Sequence, residues 1–113
     1  MKETKIYVGL NDSVSKLQRF DTEKYIGLLK KVCNAYHVPF SFTTAQGGYF
    51  HESGEYTEEN TLILTLIDTD EKVIREIARD LCVFFHQESV LVTEGEVKAC
   101  YVQEKLDIQD MIV

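Results

Sequence analysis

With 113 residues, 44% apolar and 27% charged, the chain holds material for one folded core and too little for two ordinary domains. Its 19 acidic against 12 basic residues leave a net charge of −7, which opposes both the phosphate backbone of nucleic acids and anionic membranes. Random duplex nucleic acid and membranes are therefore excluded as partners, and no run approaches the ~20 apolar residues needed to cross a bilayer.

Lys5–Leu10 predicts the first strand, with Ile6, Val8 and Leu10 on one face and Tyr7 and Gly9 on the other. Asn11-Asp12-Ser13 ends it with turn chemistry. Residues 11–20 read as a polar connection whose Val14, Leu17 and Phe20 are spaced to tuck one turn against the core. Asp21 is placed to cap a first helix, and Tyr25, Leu28, Leu29, Val32, Cys33 and Tyr36 form its apolar stripe. Pro39 stops that helix near Tyr36 or His37. Phe40–Thr44 alternates as a second strand, Gly47-Gly48 reads as a bulge or bend, and Tyr49-Phe50 resumes. A long polar hairpin tip is expected over residues 51–60. Thr61–Ile67 is apolar on both faces, as in a central strand. Asp68-Thr69-Asp70 introduces a second helix, with Val73, Ile74, Ile77, Ala78, Leu81, Cys82 and Phe85 on its apolar face. Ser89–Thr93 is the last strand, and residues 97–113 form an extension.

This order predicts an α+β, ferredoxin-like βαββαβ sandwich: a four-stranded antiparallel sheet, two helices on one face, and a C-terminal extension. Residues 1–96 form the domain, and 97–113 are expected to pack on it or on a partner. The uncovered sheet face, with Tyr7 and alternate residues of the other strands, predicts self-association, most simply as a symmetric dimer.

The amino-terminal run passes into a strand without the basic and apolar regions of a signal peptide, which predicts a cytoplasmic protein. Cys33, Cys82 and Cys100 are few, scattered and without a CxxC pair, so no disulfide framework or metal site is expected. No phosphate loop, dinucleotide glycine fingerprint or HExxH is present, and no cofactor is expected. The acidic run Glu52, Glu55, Glu58 and Glu59 lacks the spacing of a calcium loop and reads as solvated. His37 and His86 fall at helix ends, where a positive side chain suits the dipole. His51 on the hairpin has no such explanation. The candidate binding residues are Tyr7, Tyr49, His51, His86, Gln87 and Glu88, the last three forming a polar rim between the second helix and an edge strand. None is placed as catalytic.

Lys5–Leu10, Ala45–Tyr49, Glu59–Leu64 and His86–Val92, in that order, resemble an uncharacterised family of small bacterial and phage proteins over about residues 5–93. The resemblance implies the fold and a phage or mobile-element setting, and it supplies no catalytic residues. The reading of the sequence is a non-catalytic binding module, a counter-defence protein that inhibits a host protein or sequesters a small ligand. Two alternatives stand beside it: a small dimeric ferredoxin-like enzyme with a pocket at the sheet face, built from Tyr7, Tyr49, His51 and Glu88, and a dimeric regulatory subunit.

Overall fold

The computed structural model describes residues 1–104. Its elements are β1 (Lys2–Gly9), α1 (Thr22–Ala35), β2 (Ser41–Phe50), β3 (Tyr56–Ile67), α2 (Glu71–Phe84) and β4 (Leu91–Glu96). The sheet is antiparallel in the order β2-β3-β1-β4, so β1 and β3 are central, as the apolar run 61–67 predicts. This is the expected ferredoxin-like βαββαβ arrangement.

Strand alternation divides the chain's side chains between two faces. Ile6, Val8, Leu10, Leu62, Leu64 and Leu66 point toward the helices and are fully buried. Leu29, Val32 and Cys33 of α1 meet Ile74, Ile77 and Leu81 of α2 and the loop residue Phe85 above them. The opposite face carries Tyr7 paired with Ile63 and Leu91, and Gly9 paired with Thr61. Among the described residues no helix covers it, and Leu91 remains 61% exposed.

Both helices close in the same way. His37 and His86 adopt left-handed backbone conformations (φ 54° and 52°) just past the helix ends. In α1, His37 N–H donates to Asn34 O and Val38 N–H to Cys33 O; in α2, His86 N–H donates to Val83 O and Gln87 N–H to Cys82 O. These are Schellman closures, in which the backbone satisfies the last carbonyls. His37 and His86 thus stand at the helix ends, as expected, and each also supplies the left-handed backbone position of the closure. At the helix starts, the Asp70 carboxylate accepts from Lys72 N–H at 3.2 Å. Asp21 makes no such side-chain bond; its carbonyl accepts from Lys24 N–H instead.

Several local expectations are corrected. Gly47-Gly48 does not bulge: Gly47 pairs with Glu59 and Gly48 with Glu58 in unbroken register. Glycine serves space at Gly48, where a Cβ would run into the Tyr56 ring. The hairpin tip is shorter than expected, because Tyr56–Asn60 continue β3 and only residues 51–55 turn. Val14, Leu17 and Phe20 do not enter the core; they are 88%, 69% and 43% exposed. The loop is held instead by polar bonds, with Asp12 N–H donating to Leu17 O and Asn11 bridging to Gln18.

The extension begins with Val97 N–H donating to Met1 O, and residues 98–104 are exposed. The apolar residues Leu106, Ile108, Met111 and Ile112 lie outside the described residues. Among the described residues, no helix is long and apolar enough to cross a membrane.

Candidate functional site

Three connections meet at the end of the sheet where β1 exits. Gln87, fixed by the Schellman closure of α2, donates from Nε2 to Asn11 O at 2.6 Å. Ser13 N–H donates to His86 O at 3.0 Å. Together they tie the α2–β4 loop to the residues following β1. Asn11 is then gripped from the other side. Its N–H donates to Glu59 Oε2 at 3.2 Å, and its Nδ2 to Glu58 O at 3.4 Å.

Glu59 is the half-buried centre of this arrangement. Alternation along β3 puts it on the same face as Thr57, Thr61 and Ile63, opposite the face that α1 and α2 cover. Its carboxylate lies directly over Gly9. A Cβ at Gly9 would come within 2.5–2.6 Å of the carboxylate atoms, so only glycine leaves Glu59 this seat. Around it Asn11, Asp12, Ser13, Lys16, Tyr49, Gln87, Glu88 and Ser89 enclose a notch of about 140 Å³. A second cavity of about 800 Å³ adjoins it through Asn11 and Lys16 and is bordered by Leu17, His51, Tyr56 and Glu58. The His51 and Tyr49 rings lie edge to face at 5.1 Å, and His51 Nε2 meets Thr57 Oγ1 at 2.7 Å.

Asp12 plays a different part. Its Oδ2 accepts from Val14 and Ser15 N–H at 2.9 and 2.8 Å. The Ser15 and Val14 amides, aided by Arg19 and His86, hold its carboxyl below the ordinary value of 3.8 against the opposing effect of burial. Its Oδ2 is committed to the loop amides, and Glu59 and Glu88 are the other carboxylates that line the notch.

Of the residues that the sequence nominates, Tyr49, Gln87 and Glu88 come together in the notch, and His51 borders the adjoining cavity. Tyr7 lies mid-sheet on the same open face, away from both cavities. His86 is not among the lining residues of either cavity; its backbone carbonyl accepts from Ser13 N–H, and its side chain acts on Asp12 by charge. The sequence reading missed Glu59, Asn11 and Lys16. A signal for Glu59 existed: it falls in register with Thr61 and Ile63, which separates it from the solvated tip. Among the described residues, no three His, Cys, Asp or Glu side chains converge as a metal site.

No family model and no curated protein matches the chain. Solved structures do, as a class of small ferredoxin-like α+β proteins. Among them is a phage SAM lyase in complex with S-methyl-5'-thioadenosine, 24% identical with a TM-score of 0.67, covering 84% of this chain and 80% of that one. A phage SAM lyase in its apo state is 21% identical with a TM-score of 0.64, over 90% and 92% of the two chains. CutA1 from Pyrococcus horikoshii is 17% identical with a TM-score of 0.52, over 92% and 91%. At these identities the likeness is one of fold.

Proposed function

We propose that the chain binds S-adenosylmethionine (SAM) at the Glu59 notch and cleaves it to S-methyl-5'-thioadenosine, acting as a SAM lyase. The observation that carries this reading is the Glu59 carboxylate, seated on Gly9 and held by the Asn11 amide, in a fold that parallels phage SAM lyase over most of its length. SAM carries a sulfonium and an ammonium. A notch with two carboxylates facing its ligand, in a chain of net charge −7, complements them. The larger cavity beside it has room for the nucleoside, with the aromatic edges of Tyr56 and His51 at its border.

The chemistry demands little from side chains. The bond between sulfur and the γ-carbon breaks, and its electron pair leaves on sulfur as a neutral thioether. One oxygen of the substrate's own carboxylate forms the new bond to that carbon, closing a lactone. Opposite charges disappear in this step, so water opposes it and a dry, orienting site favours it. A carboxylate against the sulfonium would stabilise the substrate more than the transition state. Glu59 is therefore assigned to the ammonium, which keeps its charge throughout.

Exclusion of water gives the open face its role. Tyr7, Ile63 and Leu91 form its apolar row and Glu59 stands at its end, so self-association through this face would close the site. Destroying the methyl donor would disarm SAM-dependent host enzymes, which joins this activity to the counter-defence role.

The test is incubation of the purified protein with SAM, followed by chromatography for S-methyl-5'-thioadenosine and sedimentation to give the assembly state. Stoichiometric loss of SAM with appearance of the thioether supports the proposal. Binding of SAM without release would leave a sequestering module, and neither binding nor release would overturn the reading.

A further inference from the structure

We infer that Lys16 is the specificity residue that holds the carboxylate of the substrate's amino-acid end; this rests on the SAM reading above. Among the described residues bordering the two adjoining cavities Lys16 is the one lysine or arginine, and Glu52, Glu55, Glu58, Glu59, Glu88 and Asp12 supply carboxylates. A basic side chain amid so many carboxylates would ordinarily pair with one of them. Among the described residues Lys16 forms no ion pair.

Its position is imposed by the backbone. Lys16 has a φ of 65°, a left-handed conformation that costs a residue with a Cβ and needs support from its surroundings. That support is the Asp12 loop: Lys16 N–H donates to Asp12 O at 2.8 Å, while the Asp12 carboxylate holds the Val14 and Ser15 amides. Lys16 Nζ donates to Ser13 O at 2.6 Å, which turns the side chain back along the loop toward the notch. One of the three ammonium donors is thereby used, and two remain for a ligand.

The charge pattern then matches SAM end for end. Two carboxylates face the ammonium and one ammonium faces the carboxylate. Lys16 need hold only one carboxylate oxygen, and the other is left to attack the γ-carbon; because this carboxylate loses its charge in the step, the contact serves binding and selectivity and not the rate of the step. Ligands without that carboxylate should not sense Lys16 at all, which separates this inference from a structural role for the loop.

The experiment is calorimetric titration of the full chain and of Lys16→Met and Lys16→Arg with two probes, SAM and S-methyl-5'-thioadenosine. Lys16→Met should weaken SAM by about tenfold or more and leave the thioether within about twofold, as loss of one charge-assisted bond requires. Lys16→Arg should restore most of the SAM affinity. Equal affinities for SAM in wild type and Lys16→Met would overturn the inference while leaving the SAM reading intact. Parallel weakening of both ligands would assign Lys16 to the loop's structure and overturn it too. A wild-type chain that binds neither probe would remove the SAM reading and this inference together.

Discussion

Replacing Gly9 by alanine separates the site from the fold. A Cβ at Gly9 would approach the Glu59 carboxylate to 2.5 Å, whereas ordinary contact begins at 3.4 Å, so the carboxylate must retreat by about 0.9 Å. The atoms displaced are the far end of a flexible side chain, and Gly9 has a backbone conformation that alanine accepts. Alanine also restricts the unfolded chain, so Gly9→Ala should stay within about 1 kcal/mol of wild type by urea unfolding. Function should not be spared. A misplacement near 1 Å in a positioning contact can cost about 10²-fold in rate, and the 3.2 Å bond from the Asn11 amide is lost with it. The assay is release of S-methyl-5'-thioadenosine from SAM, read beside the unfolding curve. A Gly9→Ala protein that is stable and fully active would refute the assignment of Glu59. One that fails to fold would show that Gly9 serves packing rather than the site.

Further outcomes follow from the core and the titrating groups. Leu64→Ala should lower stability by ~2–5 kcal/mol in denaturant unfolding, because Leu64 is fully buried on a central strand between Ile6 and Phe42; a loss under ~1 kcal/mol would contradict that packing. Burial pushes the Cys33 thiol up to about 11, so a thiol reagent at pH 8 should label exposed Cys100 readily and Cys33 only on unfolding. The Tyr36 hydroxyl donates to Asp80 Oδ2 at 2.6 Å, and that bond, with burial and the Asp80 charge, raises its pKa to about 12. A raised folded pKa contributes stability that is complete below the ordinary value of 10 and lost as pH rises through 12. Denaturant unfolding between pH 8 and 12 should therefore show a decline that Tyr36→Phe diminishes, and identical profiles would sink the attribution.

The fold was legible because its signals are periodic and redundant. Leu62, Leu64 and Leu66 alternate with Ile63, Thr65 and Ile67, and the helical stripes ending at Tyr36 and Phe85 repeat at the helical period. Part of the candidate site was legible too: the cluster Gln87-Glu88 stood out because polar residues crowd a helix–strand junction. What failed to show was contact at a distance. Gly9 and Glu59 are 50 residues apart in sequence, and only pairing of β1 with β3 sets one over the other. The acidic run of the hairpin concealed Glu59 for the same reason, because composition does not tell which glutamate lies in register with Thr61. Gly47-Gly48 misled in the opposite sense. A glycine pair commonly marks a bend, whereas Gly48 here makes room for the Tyr56 ring in a straight ladder. The backbone role of the two helix-end histidines did not show, because a left-handed position is normally read from glycine.

The most direct measurement is a crystal structure of the full chain grown with S-methyl-5'-thioadenosine. The account predicts the nucleoside in the cavity bordered by His51 and Tyr56, the thioether sulfur where that cavity meets the notch, and the notch beside Glu59 and Glu88 left for the amino-acid end that this product lacks. A ligand seated instead in the apolar groove between the helices, against Leu28, Val32 and Phe84, or no ligand bound at saturating concentration, would contradict it.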